Sequence, residues 1–84
     1  MVYKAGDPIP LTPKEFDLLH YLMAHAGFLI THGRLLIAVW GPEYSEEVEY
    51  VRTVVRQLRR KIEDEPGNPK YLLTDVQIGY RFRE

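Results

Sequence analysis

An amphipathic segment in the second half of the chain constrains the fold more than any other feature. Its apolar residues recur at intervals of three and four positions: Val48, Val51, Val55, Leu58 and Ile62. Side chains at this spacing share one face of an α-helix, so the segment predicts a helix with one buried stripe. Ser45 is a suitable N-cap, and Glu46 and Glu47 would complement the positive end of the helix dipole. We therefore predict a long helix over residues 46–63.

The outward face of this predicted helix is basic, although the 84-residue chain carries a formal net charge of −1. Five basic residues and no acidic residue fall between positions 52 and 61: Arg52, Arg56, Arg59, Arg60 and Lys61. Acidic residues flank this segment on both sides, at 43–49 and at 63–65. Nucleic acid binding depends on such a local basic surface, so the net charge does not exclude a DNA partner. A solvated helix face is the alternative interpretation.

Two shorter helices are predicted before the long one. Thr12, Pro13 and Glu15 supply a cap, a favourable first helical residue and the second half of a capping box. The predicted helix covers residues 12–26, and Gly27 would end it. Its predicted buried residues recur at helical spacing: Phe16, Leu19, Leu22, Met23 and Ala26.

The second helix is predicted over residues 31–40, with Thr31 as its cap. Its apolar face consists of Leu35, Leu36, Val39 and Trp40. A loop over residues 41–45 begins with Gly41-Pro42 and leads into the long helix.

Strands are predicted at both ends of the chain. Residues 1–11 indicate a strand pair around the turn signal Gly6-Asp7. Residues 70–83 are rich in β-forming side chains, and Asp75-Val76-Gln77 separates the two strands of a predicted hairpin. The order of strand pair, three helices and hairpin predicts an α+β fold, a winged helix-turn-helix in which the hairpin is the wing.

Composition excludes several classes of site and argues against an enzyme. The chain has no cysteine, which excludes disulfides, zinc–thiolate sites and cysteine nucleophiles within it. His20, His25 and His32 are scattered, and the first two lie five residues apart, so they do not share a helix face. The chain has no HExxH or GxSxG motif and no phosphate-binding glycine loop. No apolar run reaches about 18 residues. We predict no catalytic residue, no metal, no cofactor and no membrane partner.

Motifs along the chain resemble the C-terminal effector domain of OmpR/PhoB-type response regulators. The matching segments follow the family's order: Leu11 to Leu19, Leu35-Leu36 with Val39-Trp40-Gly41, Leu58 to Ile62, Tyr71, Thr74, and Gly79 to Phe82. Other segments are similar to the KdpE branch, whose members regulate potassium-transport genes: Ile30-Thr31-His32, Trp40-Gly41-Pro42 and Tyr50-Val51-Arg52.

The resemblance implies a transcription factor whose third helix enters the major groove of double-stranded promoter DNA and whose hairpin wing reaches the adjacent minor groove. Arginine and glutamine read base edges in that groove, so the residue types support the same role. The candidate DNA-binding residues of the recognition helix are Arg52, Thr53, Arg56, Gln57 and Arg60, the last of them at a phosphate. Candidate DNA-backbone contacts are Thr31, Trp40, Arg59, Tyr80 and Arg83. We expect Arg59 to pair with Glu15 rather than to bind DNA, and Trp40 and Tyr80 to lie mainly in the core.

Further partners follow from the same resemblance. A receiver domain, absent from these 84 residues, would precede the effector domain in the full-length protein. Its phosphorylation would promote a homodimer on tandem DNA half-sites. The loop before the third helix would contact RNA polymerase through Glu43 and Tyr44. The protein would be located in the bacterial cytoplasm and associated with the nucleoid when it is bound to DNA. The alternative is a winged-helix module that binds only protein.

The chain also departs from the family pattern. Val76 and Gln77 occupy the places of the usual wing arginine and glycine, and Asp75 would repel phosphate. We therefore expect the wing to contribute less to DNA binding than is usual. Arg52 replaces a common acidic residue, which would alter the preferred DNA sequence. Only about two strands fit before Leu11, where the family usually has four, so we expect a truncated N-terminal sheet.

Overall fold

The structure is a computed structural model that describes residues 3–4 and 7–84, with side chains from residue 8 onward. The described residues form three α-helices and two small antiparallel sheets. The helices are α1 (Pro13–Ala24), α2 (His32–Val39) and α3 (Val48–Ile62), and a 3-10 helix covers Pro42–Tyr44. The strands are β1 (Tyr3–Lys4), β2 (Asp7–Pro8), β3 (Ile30–Thr31), β4 (Leu72–Asp75) and β5 (Gly79–Phe82). This architecture confirms the predicted α+β winged helix-turn-helix. Gly6 of the predicted N-terminal turn lies outside the described residues.

α1 begins with the predicted capping box, but its buried face is rotated from the predicted one. The Thr12 hydroxyl accepts the backbone N–H of Glu15 at 3.2 Å, and the Glu15 carboxylate accepts that of Thr12 at 2.9 Å. The buried residues are Glu15, Leu18, Leu19 and Leu22. Phe16 and Met23, predicted as core, are 42% and 49% exposed. The prediction was wrong for these two residues because apolar residues occur on two adjacent faces of this helix. The other helices cover the face that includes Leu18.

α3 contributes the centre of the core. Val51, Val55 and Leu58 of the predicted stripe are buried, and Val54 beside them is buried as well. Val48 and Ile62, at the ends of the stripe, are half-buried. Leucines from α1 and α2 complete the cluster, with Ile30, Leu72 and Tyr80 from the sheet. The periodicity therefore predicted which face of α3 is buried. Val54 is buried as well because a helix packed between two others buries a stripe wider than one row of side chains.

The start of α3 differs from the prediction. Ser45 is not its cap, because Glu47 occupies the N-cap position, and α3 begins at Val48 rather than at residue 46. The preceding residues form the 3-10 helix, in which the Ser45 N–H donates to the Pro42 carbonyl at 3.3 Å. Gly41 enables this entry, since its backbone φ is +119°, in a region that favours glycine. α1 is also shorter than predicted, and ends at Ala24 rather than residue 26.

A third strand joins the wing hairpin. β5 lies between β3 and β4, and both pairings are antiparallel. β3 was not predicted, because two residues are too few to show the alternation of a strand. Gly79 makes the pairing possible, since a Cβ atom there would lie 2.0 Å from the Ile30 carbonyl oxygen.

A buried carboxylate connects α3 to the wing. Glu63, the residue that follows α3, is 3% exposed. Its two oxygens accept the backbone N–H groups of Lys70 at 2.8 Å, Tyr71 at 3.1 Å and Leu72 at 2.9 Å. Because a buried carboxylate is stable only when its oxygens are satisfied, these bonds fix where β4 begins relative to the helix.

A second buried carboxylate connects α1 to α3. Lys61 donates to the Glu15 carboxylate at 2.6 Å. The predicted Glu15–Arg59 pair is therefore wrong, because positions 59 and 61 point to different sides of α3 and the side with Lys61 faces α1. Burial opposes ionisation of Glu15. The bonds from Lys61 and Thr12 outweigh that effect and lower its pKa below the ordinary value of 4.5.

We expect Glu15→Gln to destabilise the fold by about 1–2 kcal/mol at neutral pH, because the amide keeps the cap acceptor but loses the charge that binds Lys61. Since the folded pKa of Glu15 is lowered, its stabilisation is complete above pH 4.5 and is lost as the pH falls through the folded value. Urea unfolding at a series of pH values should show the difference from the wild type closing below pH 4.5. The exposed Glu65→Gln is the matched control, and a pH-independent difference would contradict the prediction.

Candidate nucleic-acid interface

The outer face of α3 and the wing together form a basic groove. Arg52, Arg56 and Arg60 are exposed on α3, one turn apart from one another. They line a groove of about 520 Å³ together with Val55 and Arg59 of the same helix. The other walls of the groove are the loop after α3, with Pro66 and Gly67, and the wing, with Thr74 and Tyr80. Three of the five predicted recognition-helix residues therefore lie on one side, towards the wing.

The other two predicted recognition residues face different neighbours. Thr53 lines a shallow groove with Lys14 of α1 and Trp40 at the end of α2. Gln57 lies beside Thr12 and Lys61, towards the start of α1. The helix therefore presents an arc of polar side chains whose centre lies away from the core, as a helix that reads a major groove requires.

Arg59 holds the wing against α3. Its Nη2 and Nε atoms donate to the Leu72 carbonyl at 2.7 and 3.1 Å, and Nη2 also donates to the Thr74 hydroxyl. The guanidinium lies over the Tyr80 ring, 5.7 Å from its centroid. Burial lowers the pKa of Arg59, and the nearby Tyr80 and Glu63 oppose that effect. The side chain thus connects α3 to both strands of the hairpin.

Arg52 has an acidic partner on its own helix. Its guanidinium contacts the Glu49 carboxylate at 2.6 Å, and both side chains are exposed. Such exposed pairs contribute at most about 1 kcal/mol, so Arg52 can exchange this partner for another at small cost.

Tyr80, which lines the basic groove, lies beside His32 at the start of α2. The two rings pack edge to face with centroids 5.4 Å apart. Burial raises the pKa of the Tyr80 hydroxyl, although the positive charge of Arg59 opposes it. Burial and the charge of Arg52 both lower the pKa of His32, so the neutral imidazole is favoured at neutral pH.

The other predicted DNA-backbone residues lie at the ends of α2 and β5. Thr31 is exposed at the start of α2 and accepts the Arg34 N–H at 3.2 Å. Trp40 ends α2 and packs against the core. Arg83 is exposed just after β5, and its N–H donates to the Tyr71 carbonyl at 2.7 Å. Their contacts with DNA stay predictions.

A second surface combines aromatic and acidic side chains. The predicted polymerase-contact residues Glu43 and Tyr44 lie exposed on the 3-10 helix. Tyr44 and Trp40 each pack beside Tyr50, with ring centroids 6.0 Å apart in both pairs. Lys14, whose ammonium lies 5.6 Å from the Trp40 ring centroid, extends this cluster. Neither Lys14 nor Tyr50 was singled out from the sequence for a surface role, because each belongs to a different helix.

Residues 3–4 and 7–84 contain no cluster of histidine, aspartate and glutamate that could hold a metal ion. His20 stacks on Phe16 and His25 on Tyr21, so both pack against aromatic neighbours on α1. None of the described helices is long and apolar enough to cross a membrane.

Comparison with known proteins gives consistent matches. The family model described as "Transcriptional regulatory protein, C terminal" matches residues 6–82. The "Transcriptional regulatory protein KdpE" of Mycobacterium tuberculosis is 48% identical over 81 residues. That alignment covers 96% of this chain and 36% of the relative, so the chain spans about a third of that relative's length.

Solved structures match along nearly the whole chain. The response regulator DrrB, an OmpR/PhoB homologue from Thermotoga maritima, shares 37% identity with a TM-score of 0.85, covering 94% of this chain and 36% of that one. The RstA DNA-binding domain of Klebsiella pneumoniae, solved in complex with the RstA box, shares 29% identity with a TM-score of 0.83. That alignment covers 93% of this chain and 77% of the RstA chain.

We expect Arg59→Lys to lower the free energy of unfolding by about 1–3 kcal/mol, because lysine keeps the charge but loses the Nε–H donor to Leu72 and the planar guanidinium over the Tyr80 ring. Urea denaturation measures the loss, and hydrogen exchange of the β4 amides should accelerate. The exposed neighbour Arg60→Lys is the matched control. Equal stability of the two variants would show that the arginine fork does not hold the wing.

Proposed function

The chain belongs to the C-terminal domains of OmpR/PhoB-type transcriptional regulatory proteins, a family of regulators rather than enzymes, and on that premise we propose that it binds a specific duplex DNA sequence. The observation that carries the proposal is the basic groove, in which Arg52, Arg56 and Arg60 project from α3 beside the wing. A local arginine surface of this kind supplies the phosphate attraction on which DNA binding depends. The described helix-turn-helix places that surface on its second helix, the one that reads bases in this motif.

Docking follows from the dimensions of α3. Its 15 residues extend over about 22 Å, and a major groove about 12 Å wide admits one helix. In this arrangement Arg52 and Arg56 reach base edges from the second and third turns of the helix. Arg60, one turn further along, meets phosphate, together with Thr31 at the start of α2. The RstA domain, solved in complex with the RstA box, supports this mode of use.

The full-length protein is, on this proposal, a two-component response regulator. The chain corresponds to about a third of the KdpE relative, which leaves room there for a preceding receiver domain. Phosphorylation of that domain would favour a homodimer on tandem half-sites in promoters. The similarity to KdpE supports control of potassium-transport genes, in the bacterial cytoplasm. We assign no enzymatic activity to the effector domain.

A second proposed contact is with RNA polymerase. The observation that favours it is the exposed cluster of Tyr44, Tyr50 and Trp40 next to Glu43. Aromatic residues with a charged rim are typical of protein interfaces, where they act as anchors. The surface would receive a basic segment of polymerase while α3 holds the promoter.

In vitro selection of duplex DNA with the purified domain should yield a defined half-site. Affinity for that site should fall steeply with salt, because each neutralised phosphate adds about −0.9 to the slope of log K against log salt. Arg60→Ala should reduce the magnitude of the slope by about 1, and Arg60→Lys should preserve it. Failure to enrich any sequence, with a flat salt dependence, would favour the alternative of a protein-only module.

Arg52→Ala should weaken binding to the selected site by about 1–3 kcal/mol and relax the preference at the base pair it reads. The control is Glu49→Gln, which removes the ion-pair partner but keeps the guanidinium, so affinity and preference should be retained or increased. Repeating the selection with both variants measures the preference. An unchanged selected motif for Arg52→Ala would remove this residue from base reading.

Tyr44→Ala and Glu43→Gln should leave DNA affinity nearly unchanged and reduce the recruitment of purified RNA polymerase to a promoter fragment that carries the half-site. The reason is that these side chains lie on the 3-10 helix, outside the basic groove. Gel-shift titration with and without polymerase separates the two effects. Normal recruitment by both variants would place the polymerase contact elsewhere.

A further inference from the structure

His32 lies beside the basic groove, and its side chain has no part in the contacts proposed above. It is the first residue of α2 and is half-buried. Its imidazole packs edge to face on the ring of Tyr80, with centroids 5.4 Å apart, and Tyr80 lines the basic groove. His20 and His25, in contrast, pack against aromatic rings of α1. Of the three histidines, His32 is therefore the one placed to respond to DNA.

Backbone contacts fix the position of this imidazole. The His32 N–H donates to the Ile78 carbonyl at 3.2 Å, which connects the start of α2 to the wing. The preceding residue, Thr31, belongs to β3 and lies opposite Gly79 of β5. The imidazole is therefore held beside a wall of the basic groove, between two candidate DNA-backbone contacts, Thr31 and Tyr80.

The elements packed around the imidazole bring positive and neutral groups towards it. From α3, the charge of Arg52 acts on the ring. From β5, Tyr80 contributes an uncharged phenol, because burial raises the pKa of its hydroxyl, and Arg59 lies over the far side of the same contact, 5.7 Å from the Tyr80 ring centroid. On α2 itself, Arg34 directs its guanidinium to the Tyr21 hydroxyl at 3.5 Å.

The acidic side chains of these elements do not reverse that balance. Glu49 of α3 pairs with Arg52 at 2.6 Å. Asp75 is half-buried on the wing turn, where its carbonyl accepts the Ile78 N–H at 3.0 Å. Burial, and after it the charge of Arg52, lower the pKa of His32 below the ordinary value of 6.5. The imidazole of the free domain is therefore neutral at neutral pH.

Bound DNA would favour the charged imidazole instead. In a helix-turn-helix the first helix crosses the DNA backbone while the second reads bases, so phosphates approach the start of α2. A phosphate beside His32 stabilises the imidazolium through its negative charge. In the proposed docking Arg52 also turns towards a base, which moves its positive charge away from the ring. Both changes act in the same direction.

We propose that His32 contacts a DNA phosphate as an imidazolium, so that the domain takes up one proton from solvent when it binds DNA. The protonated ring would donate an N–H to a phosphate oxygen, a charge-assisted hydrogen bond that is stronger than the bond of a neutral ring. Affinity for DNA would then increase as the pH falls. The inference rests on the proposed DNA-binding function.

The pH should have opposite effects on folding and on DNA binding. Because the folded pKa of His32 is lowered, the unfolded chain binds this proton more readily than the folded one. Its contribution to stability is complete above pH 6.5 and is lost as the pH falls towards the folded value. DNA affinity should rise over the same range, since binding and proton uptake are linked. A histidine with a merely structural role would change the stability alone.

NMR titration of the His32 ring tests the proposal directly, in the free domain and on the selected half-site at the same salt concentration. The midpoint should rise by about one pH unit when DNA binds. Arg52→Gln should raise the midpoint in the free domain, because it removes a positive charge near the ring, and Arg60→Gln, two turns further along α3, is the control. An unchanged or lower midpoint on DNA would overturn the proposal. This measurement requires no variant of His32.

Affinity for the half-site between about pH 8 and about pH 5.5 supplies the second test. Relative to His32→Gln, the wild type should gain about three- to tenfold in affinity at the lower pH. Its slope of log K against log salt should also become steeper there by about 0.9, because one more phosphate is neutralised. His32→Gln keeps a donor but cannot be protonated, so it should show neither change. His20→Gln, at an exposed position of α1, is the matched control and should behave like the wild type.

The possible results distinguish this inference from the proposed function. If the wild type selects a half-site but responds to pH as His32→Gln does, the inference is overturned and DNA binding stands. The same holds if His32→Gln loses affinity equally at both pH values, since the side chain then contributes by packing. If His20→Gln loses the pH dependence, the proton is taken up elsewhere and the inference is again overturned. If the wild type selects no DNA, the inference and the proposed function both fail.

Discussion

The position of the wing depends on two charged side chains at the end of α3. Glu63 accepts three backbone N–H groups from residues 70–72, and Arg59 donates to the Leu72 carbonyl and the Thr74 hydroxyl. Both bind the same stretch of backbone, one with acceptors and the other with donors. Because buried charges are costly unless they are satisfied, the start of β4 has one favourable position on the helix. The basic groove exists only because the wing is held there.

The periodicity of the sequence predicted α3 and its buried side correctly because apolar residues occur on one face alone. α1 carries apolar residues on two adjacent faces. Packing against α2 and α3 determines which of the two is buried, and the periodicity of the sequence gives no information on that packing. β3 could not be predicted, since two residues show no pattern and its strand character comes from pairing with β5. The partner of Glu15 was missed for a related reason. Whether position 59 or position 61 faces α1 depends on the rotation of α3, which the charge pattern leaves open.

At the candidate site too, the sequence predicted which types of residue are exposed but not where each side chain lies. The exposed arginines were predicted from the charge segregation, and the structure places Arg52, Arg56 and Arg60 along one groove. That Thr53 faces Trp40 and Gln57 faces the start of α1 follows from the packing of α3 between two helices. Arg59 was assigned by its chemistry to an ion pair or a phosphate. Its observed hydrogen bonds to the wing could not be predicted without the folded hairpin, because its partners are thirteen and fifteen residues away in the sequence.

The acidic residues around α3 give the net charge of −1 a physical meaning. Glu49 holds Arg52 in a weak exposed pair. If Arg52 binds a base as proposed, it would exchange one partner for another at a cost of at most about 1 kcal/mol. The same acid lowers the local positive charge, and with it the affinity for DNA of any sequence, which comes almost entirely from phosphate neutralisation. A correct base can replace Glu49 with a bidentate contact, whereas a wrong one cannot. On the proposed function, the Glu49–Arg52 pair would therefore reduce non-specific binding more than specific binding, so an acidic residue that brings the net charge close to zero would add selectivity.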